Sequence, residues 1–269
     1  FVVSSANLVD PSTGDLAFEP PSDAVDRVEL VSSPFAAEFG RFTASVTRLR
    51  LRTGGERWQF VFNDLVPRPL KASEGGWRGV KAFTPRVSIG GPLRQGRLYL
   101  AQSFEARYVR TAVKSLPEWP TIDLRSFDAF TRLDAVLSTR HHVALGAALF
   151  PRAIDKISMT TFRPPWAVPD YRQNGFNVGL LDSLVIAPWL VLETNFSYRQ
   201  HDVDIEPRSS GPMVLSPAGA GGTFFNQQDR HARSLQLVHT VTWSTKLWGM
   251  EHLFKAGVDL FATSYTGTR

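Results

Sequence analysis

Aromatic side chains in long polar segments are the clearest candidates for ligand chemistry in this chain of 269 residues. These segments carry Trp77, Phe162, Trp166, Phe224 and Phe225 among proline, glycine and polar residues. Exposed aromatic rings stack well on a sugar, an aromatic siderophore or a peptide. The alternative is that the rings pack the segments against one another or lie among lipid headgroups. The residue types alone leave both interpretations open.

Enzymatic chemistry finds no support in the sequence. There is no G-x-S-x-G, H-E-x-x-H or Walker motif, and no G-x-G-x-x-G follows a strand. The six histidines are dispersed, and the pair His141–His142 falls in a predicted turn. His201, with Asp202 and Asp204, could contact a metal or belong to a polar cluster at a strand end. We predict a protein that is not an enzyme and has no cofactor and no metal.

The amino-acid composition excludes several further classes of protein and of site. The chain has no cysteine, which removes disulfides and thiolate metal sites, and no run of about 18 apolar residues that would form a spanning helix. The net charge is +5, but the arginines are scattered along the chain instead of clustered. The basic balance therefore does not indicate a nucleic-acid surface.

The elements that must position these residues are amphipathic strands joined by alternately short and long connections. We predict nine strands, at 56–66, 83–91, 97–110, 126–139, 141–150, 171–186, 189–203, 234–246 and 250–265. The short joints are Pro92–Gly96, Ser138–His141, Ala187–Trp189 and Leu247–Glu251. The long connections are Pro69–Ala82, Lys114–Arg125, Asp155–Asp170 and Glu206–Arg233. Short turns on one side and long loops on the other are typical of transmembrane β-barrels.

Alternation within the strands is compatible with two architectures. In one strand Phe104 and Tyr108 oppose Glu105 and Arg107, and in another Phe127 opposes Asp128. A soluble β-sandwich produces the same period of two. Aromatic residues near strand ends and full charges in mid-strand favour the membrane barrel.

Four segments resemble one family in the same order. They are VDRVELVSSPFAAEFGRFTASVTRLRLRTGG (25–55), FTPRVSIGGPLRQGRLYLAQSFEARYVR (83–110), FDAFTRLDAVLSTRHHVALG (127–146) and WSTKLWGMEHLFKAGVDLF (243–261). They resemble the plug exit and barrel strands of TonB-dependent outer-membrane receptors, in the subgroup with an N-terminal carboxypeptidase-regulatory-like domain. In that pattern a Gly-Gly-Pro turn precedes an aromatic-rich strand. The exit strand departs from the family pattern, because it reads Thr47-Arg48-Leu49-Arg50-Leu51-Arg52.

The resemblance implies an all-β fold in the bacterial outer membrane. Residues 1–53 would be the C-terminal part of a plug domain, and residues 54–269 about nine N-terminal strands of a larger transmembrane antiparallel β-barrel. The chain would be a fragment of a receptor for energy-coupled uptake of a scarce extracellular ligand, such as a siderophore, an oligosaccharide or a peptide. Its partners would be that small ligand, outer-membrane lipid, and an inner-membrane TonB-type complex acting through a plug segment missing here.

Charged residues inside receptors of this family commonly hold plug and barrel together. The resemblance therefore implies plug-to-barrel contacts at Arg27, Glu29 and Arg41 on the plug side and at Glu105, Arg132, Asp134 and Glu193 on the barrel side. Two alternatives to the receptor stay open at this point. They are a passive porin-like barrel and a secreted carbohydrate-binding β-sandwich.

Overall fold

Three β-sheets make up the structure, a computed structural model that describes residues 2–3, 6–7, 19–31, 46–72 and 74–268. They are a small sheet of four strands, a large sheet of twelve and a two-stranded hairpin. Among these residues no helix is long and apolar enough to cross a membrane. The strands are β1 (Val2–Val3), β2 (Ala6–Asn7), β3 (Val25–Val31), β4 (Val46–Leu51), β5 (Gln59–Asn63), β6 (Arg68–Lys71), β7 (Trp77–Phe83), β8 (Arg86–Arg94), β9 (Leu98–Ala112), β10 (Thr121–Ser138), β11 (His141–Leu149), β12 (Arg152–Asp155), β13 (Pro169–Ala187), β14 (Leu190–Pro207), β15 (Met213–Ser216), β16 (Gly219–Gly222), β17 (Gln228–Leu247) and β18 (Met250–Thr268).

The small sheet has the strand order β2-β1-β4-β3. Its central pair, β1 and β4, is parallel. β3 and β4 are antiparallel, with Val28 opposite Leu49 and Glu29 opposite Arg48. The valines and leucines of these strands alternate with charged residues, a pattern that suits a pleated, half-buried strand. A 3-10 turn, Ser22–Ala24, leads into β3.

The large sheet is antiparallel and has nine strand positions. Three positions hold a broken strand, namely β5 with β6, β7 with β8, and β11 with β12, and the other six hold β9, β10, β13, β14, β17 and β18. All nine predicted strands are present, and the short joints at Ser138–His141, Ala187–Trp189 and Leu247–Glu251 are confirmed. The joint predicted at Pro92–Gly96 lies later, because β8 continues through Arg94 and β9 begins at Leu98. Within the described residues β18 lies at one edge and β5 with β6 at the other, and the two edges do not pair.

The long connections contain more strand than the sequence predicts. Most of Pro69–Ala82 belongs to the hairpin of β6 and β7, and Glu206–Arg233 contains the hairpin of β15 and β16. β10 begins at Thr121, so the connection before it is shorter than predicted. Gly90-Gly91-Pro92 lies inside β8 and forms no turn, because the ladder to β9 continues past it. Hydrogen bonding between neighbouring strands extends each pair beyond the point where the amphipathic pattern fades.

Burial in the large sheet is inverted relative to a soluble protein. On β9 the charged Glu105 is 7% exposed and the adjacent Phe104 is 37% exposed. On β10 Asp128 is 1% exposed and Phe127 is 43% exposed. We call the face that carries Glu105 and Asp128 the inner face and the opposite one the outer face. The inner face also contains these buried polar residues: Ser88, Ser103, Ser126, Gln173, Asn195, Arg199, His201, Ser234 and Gln236.

A small apolar cluster interrupts the polar inner face where the two sheets meet. Ala24, fully buried after the 3-10 turn, packs with Phe130, Ala148 and Phe150 of the large sheet. The Phe150 ring lies so close to Gly175 that a Cβ atom there would come within 2.2 Å of it. A glycine at this position therefore makes room for the ring.

Candidate functional site

The first contact between the two sheets is made by the 3-10 turn. The backbone N–H and the Oγ of Ser22 both donate to Oε2 of Glu105, at 2.9 and 2.8 Å. Because Glu105 is buried on β9, these donors replace water that the carboxylate has lost. Hydrogen bonds to a charged group contribute about 1.5–3 kcal/mol each. These two bonds hold Ser22 against β9.

Asp23, the next residue of the turn, contacts the neighbouring strands. Asn63 Nδ2 donates to Asp23 Oδ2 at 3.0 Å, and Arg86 Nη1 lies 3.6 Å from Asp23 Oδ1. Arg86 also donates to Ser22 Oγ at 3.0 Å and to Asp64 Oδ2 at 2.9 Å. The antiparallel register of β5 and β8 places Asn63 directly opposite Arg86. Two paired strands therefore present an amide and a guanidinium to the same carboxylate.

Arg107 extends these contacts along β9 and β10. Its Nε donates to Glu105 Oε1 at 2.9 Å, and its Nη2 lies 3.7 Å from Asp128 Oδ2. Its Nη1 donates to Glu19 Oε2 at 3.3 Å, and Arg152 Nη2 donates to the same oxygen at 3.0 Å. Glu19 thus accepts hydrogen bonds from two cations of the large sheet.

Together these side chains form a continuous inner-face network. Its members are Glu19, Ser22, Asp23, Asn63, Arg86, Glu105, Arg107, Asp128 and Arg152. The apolar part of the same contact is confined to Ala24 and Leu51 against Phe130, Ala148 and Phe150. Polar contacts of this kind can be exchanged for contacts with water, whereas a large apolar interface cannot be opened without exposing its area. The contact is therefore specific in position and exposes little apolar surface when it opens.

The barrel-side residues predicted from the sequence have different surroundings. Glu105 lies in the inner-face network. Arg132 pairs with Asp134 on its own strand, through Nη2 to Oδ1 at 2.7 Å. Glu193 is exposed on β14. The structure thus brings one of the four into contact with the small sheet's lead-in turn.

The plug-side residues predicted from the sequence pair within the small sheet. Arg27 Nε lies 3.7 Å from Glu29 Oε1, and Arg50 Nε lies 2.8 Å from the same oxygen. Arg41 lies outside the described residues. The residues that sequence reasoning missed are those of the inner-face network other than Glu105. The signal available for them was the Pro20-Pro21-Ser22-Asp23 run, since prolines followed by Ser and Asp are typical of a capped turn.

A second candidate site lies at the opposite ends of the strands, where the long loops are tied to one another. Arg78 of β7 donates to the Glu118 carbonyl at 2.6 Å, and the hydroxyls of Ser115 and Thr161 are hydrogen-bonded. These bonds join the β6–β7 hairpin to the loop at 113–120, and that loop to the one at 156–168. A hydrogen bond from the Ala220 backbone N–H to a carbonyl of the 156–168 loop then adds the β15–β16 hairpin.

The last of these joints depends on a glycine. Ala220 N–H donates to the Phe162 carbonyl at 2.7 Å, and Ser209 Oγ donates to the Trp166 carbonyl at 3.0 Å. Gly219 has φ of +137°, and a Cβ there would lie 2.8 Å from the Phe162 carbonyl oxygen. Both the backbone conformation and the close approach therefore favour glycine.

The loop aromatics project from this connected surface. Trp77 is 71% exposed, Phe162 64%, Trp166 58% and Phe225 73%. Phe224 is half-buried, with its ring centroid 5.4 Å from that of Phe225. Phe162 and Trp166 share one loop, and the backbone bonds of that loop hold the β15–β16 hairpin beside them. The rings of Phe162 and Trp166 are thus presented by backbone that is held in place from neighbouring segments.

Comparison with known proteins identifies the architecture through structure alone. No family model and no curated protein sequence matches the chain. The ferripyoverdine receptor of the Pseudomonas aeruginosa outer membrane, bound to ferripyoverdine, matches 95% of this chain with a TM-score of 0.70 and 11% identity. BauA, the ferric preacinetobactin receptor from Acinetobacter baumannii, matches 91% with a TM-score of 0.69 and 10% identity. The open form of Fiu, a ferric-catecholate import receptor from Escherichia coli, matches 90% with a TM-score of 0.64 and 8% identity.

All of these proteins are TonB-dependent outer-membrane receptors. The chain has the fold of a TonB-dependent receptor. It covers 35%, 37% and 40% of the three receptor chains, so it spans somewhat more than a third of their length. The predicted resemblance and fold class are thereby confirmed. The boundary between plug and barrel at residue 53 stays a prediction. The roles of the individual site residues also stay predictions.

Proposed function

We propose that this chain is part of a TonB-dependent outer-membrane receptor that carries a scarce extracellular ligand into the periplasm by energy-coupled transport. Residues 1–53 are the C-terminal part of the plug, and residues 54–269 are barrel strands that further strands close into a complete barrel. The protein acts through conformational change, not catalysis. Its partners are outer-membrane lipid, a small extracellular ligand and an inner-membrane TonB-type complex.

The inverted burial of the large sheet is the observation that carries this proposal. On the outer face of β10 the exposed Phe127 and Leu137 mark the two ends of a stretch that also contains the half-buried Leu133 and Ala135. At about 3.3 Å per residue and a tilt of about 40°, this stretch spans about 25 Å, the height of the apolar band of outer-membrane barrels. The opposite face holds the buried charges Glu105 and Asp128, of which Glu105 bonds the turn that leads into the small sheet. An apolar exterior around a polar interior suits a barrel wall in lipid.

The inner-face network supports a plug that can be displaced. Glu19, Ser22 and Asp23 are held mainly by hydrogen bonds and ion pairs to the wall. Water can take over these contacts when the plug moves. A passive porin-like barrel has no need for such contacts with an inner segment. A secreted β-sandwich is disfavoured because the nine strand positions of the large sheet run side by side without interruption, and the small sheet meets it mainly through the turn Ser22–Ala24 instead of packing face to face.

The connected loops support ligand capture at the extracellular side. Exposed rings on backbone that is already hydrogen-bonded lose little conformational freedom on binding. We propose Trp77, Phe162, Trp166, Phe224 and Phe225 as ligand contacts, with a siderophore as the first class to test because the three structural relatives are receptors for ferric siderophores.

A thiol cross-link between plug and wall tests the transport proposal. These 269 residues contain no cysteine, so Ser22→Cys with Glu105→Cys introduces the only thiol pair within them. The complete protein would be expressed in outer membranes, linked with a short bis-thiol reagent, and offered radiolabelled ferripyoverdine, ferric catecholate and ferric preacinetobactin. We expect uptake of the transported compound to fall at least tenfold and to recover when a cleavable linker is reduced.

Each single cysteine variant treated with the same reagent is the matched control and should retain uptake. Membrane residence is checked separately by detergent extraction and by heat-modifiable migration on unboiled gels. Full uptake by the cross-linked protein would contradict a movable plug. Recovery of the complete protein as a soluble monomer without detergent would contradict the receptor itself.

A further inference from the structure

Four exposed arginines lie together at the short-turn end of the large sheet. Arg57 precedes β5, Arg94 and Arg97 flank the turn between β8 and β9, and Arg140 lies in the turn between β10 and β11. β8, β9, β10 and β11 follow one another in the sheet, so these turns are neighbours. We call Arg57, Arg94, Arg97 and Arg140 the turn-side arginines.

The backbone at the turns is hydrogen-bonded into the sheet. The Arg97 carbonyl accepts from the Val136 N–H at 2.7 Å, and the Arg140 carbonyl accepts from the Val185 N–H at 2.8 Å. Arg97 N–H donates to the Arg94 carbonyl at 3.0 Å. The charges are therefore held at one level of the wall, although their side chains are exposed.

The turn-side arginines lack carboxylate partners across the described part of the chain. The nearest acidic residue in sequence, Glu56, accepts a hydrogen bond from Tyr99. Several arginines at the opposite strand ends are paired instead. Arg110 bonds Asp123 at 3.3 Å, and Arg125 and Arg172 bond the two oxygens of Asp155 at 2.6 and 2.7 Å. The described carboxylates Asp134, Asp182 and Glu251 near the turn end pair with Arg132, His141 and Lys246, and none of them forms an ion pair with a turn-side arginine.

Exposed apolar residues adjoin these charges in the sequence. Trp58 follows Arg57 and is 45% exposed, Leu93 precedes Arg94 and is 51% exposed, and Leu137 lies shortly before Arg140 and is 62% exposed. An apolar anchor beside a flexible cation is the arrangement that places a side chain where hydrocarbon meets headgroups. The apolar band of the outer face therefore ends at the level of the turn-side arginines.

We propose that the turn-side arginines bind anionic phospholipid headgroups of the inner leaflet, with phosphatidylglycerol as the representative ligand. This inference rests on the proposed function, because that function places the short turns on the periplasmic side. Guanidinium groups bind phosphate with two parallel hydrogen bonds, and basic residues near an anionic lipid surface are attracted to it. The lipid phosphates supply the negative charge that the chain itself does not place there.

Lipid selectivity in bilayers tests the inference. The complete protein would be reconstituted in phosphatidylcholine vesicles with trace spin-labelled phosphatidylglycerol or spin-labelled phosphatidylcholine, and the immobilised fraction of each would be measured. We expect the wild-type protein to enrich phosphatidylglycerol about fivefold over phosphatidylcholine, and the enrichment to fall with salt. In the quadruple variant Arg57→Gln, Arg94→Gln, Arg97→Gln and Arg140→Gln the ratio should approach one.

A matched control removes the same charge at the far end of the strands. It carries Arg68→Gln, Lys71→Gln, Lys81→Gln and Arg163→Gln, all at exposed loop or hairpin positions. Heat-modifiable migration verifies folding of both variants, and the four single arginine variants replace the quadruple one if it does not fold. Enrichment retained without the turn-side arginines, or lost equally in the control, overturns the inference. So does its abolition by millimolar free glycerophosphate, since that would identify a site for soluble phosphate.

Failure of the proposed function gives a different result. A complete protein that does not insert into vesicles of any composition contradicts membrane residence. A protein that inserts but shows no preference for phosphatidylglycerol contradicts the lipid site alone.

Discussion

The two faces of β9 and β10 present adjacent residues to opposite environments. On the outer face Phe104 and Phe127 stack with ring centroids 6.0 Å apart and stay exposed. On the inner face Glu105 and Asp128 are buried around Arg107. In the proposed receptor the outer face needs only apolar character, because lipid makes no directional bonds. The inner face needs particular atoms at particular positions, because each buried charge must have a partner.

This difference predicts the largest mutational contrast in the molecule. Leu180 is 39% exposed on the outer face of β13, and we expect Leu180→Arg to lower the free energy of unfolding by about 2–4 kcal/mol because it places a charge in the apolar band. The measurement is equilibrium unfolding of the complete protein in vesicles by denaturant, with the change taken from the transition midpoint.

The matched control is Ser183→Arg on the same strand. Ser183 lies on the inner face directly opposite Glu193 of β14, so the new guanidinium finds a carboxylate across the strand pair. We expect a change of less than about 1 kcal/mol. Equal destabilisation by the two substitutions would contradict the assignment of the faces.

The strand pattern was predictable from the sequence because the polarity of each side chain in a barrel strand matches the face on which it lies. Phe104 beside Glu105 and Phe127 beside Asp128 mark the two faces without reference to any distant residue. The same logic located the turns between β10 and β11 and between β13 and β14, which need only a break in alternation. Local chemistry therefore determined the nine strand positions and three of the four short joints.

The contacts between the sheets were not predictable in the same way. Glu105 was a candidate together with Arg132, Asp134 and Glu193, but its partner Ser22 is 83 positions away in the sequence. Arg132 donates a hydrogen bond to Asp134, two residues along the same strand. Nothing in the charge pattern separates a carboxylate that bonds a distant turn from one that bonds its neighbour. Only the three-dimensional path of residues 19–24 makes that distinction.

The inner-face network gives the second contrast. Glu105→Gln keeps the shape of the side chain and removes the charge that Ser22 and Arg107 share. We expect the free energy needed to release the turn Ser22–Ala24 from β9 to fall by about 1.5 kcal/mol, because hydrogen bonds to charged groups are stronger than those to neutral ones. Hydrogen exchange of a peptide covering residues 19–31, measured by mass spectrometry, should then accelerate about tenfold.

Glu193→Gln is the matched control, since Glu193 is an inner-face glutamate that is exposed on β14. We expect exchange in the same peptide to stay within about twofold of the wild-type rate. An equal acceleration in both variants would mean that the net charge of the inner face, and not the bond to Ser22, holds the turn.

The smallest contrast separates two glycines of the β15–β16 hairpin. Gly219→Ala should weaken the joint between this hairpin and the Phe162 loop by about 1–2 kcal/mol, because the new Cβ meets the Phe162 carbonyl and the residue has a positive φ. A Cβ at Gly221 has no atom within 4 Å, so Gly221→Ala should change little. Hydrogen exchange at Ala220, whose N–H donates to Phe162, reports the joint directly.

Unchanged protection in Gly219→Ala would show that the hydrogen bond from Ser209 to Trp166 suffices to hold the loops together. The exposed rings would then owe their positions to that second bond, and Ser209→Ala would become the substitution that releases them.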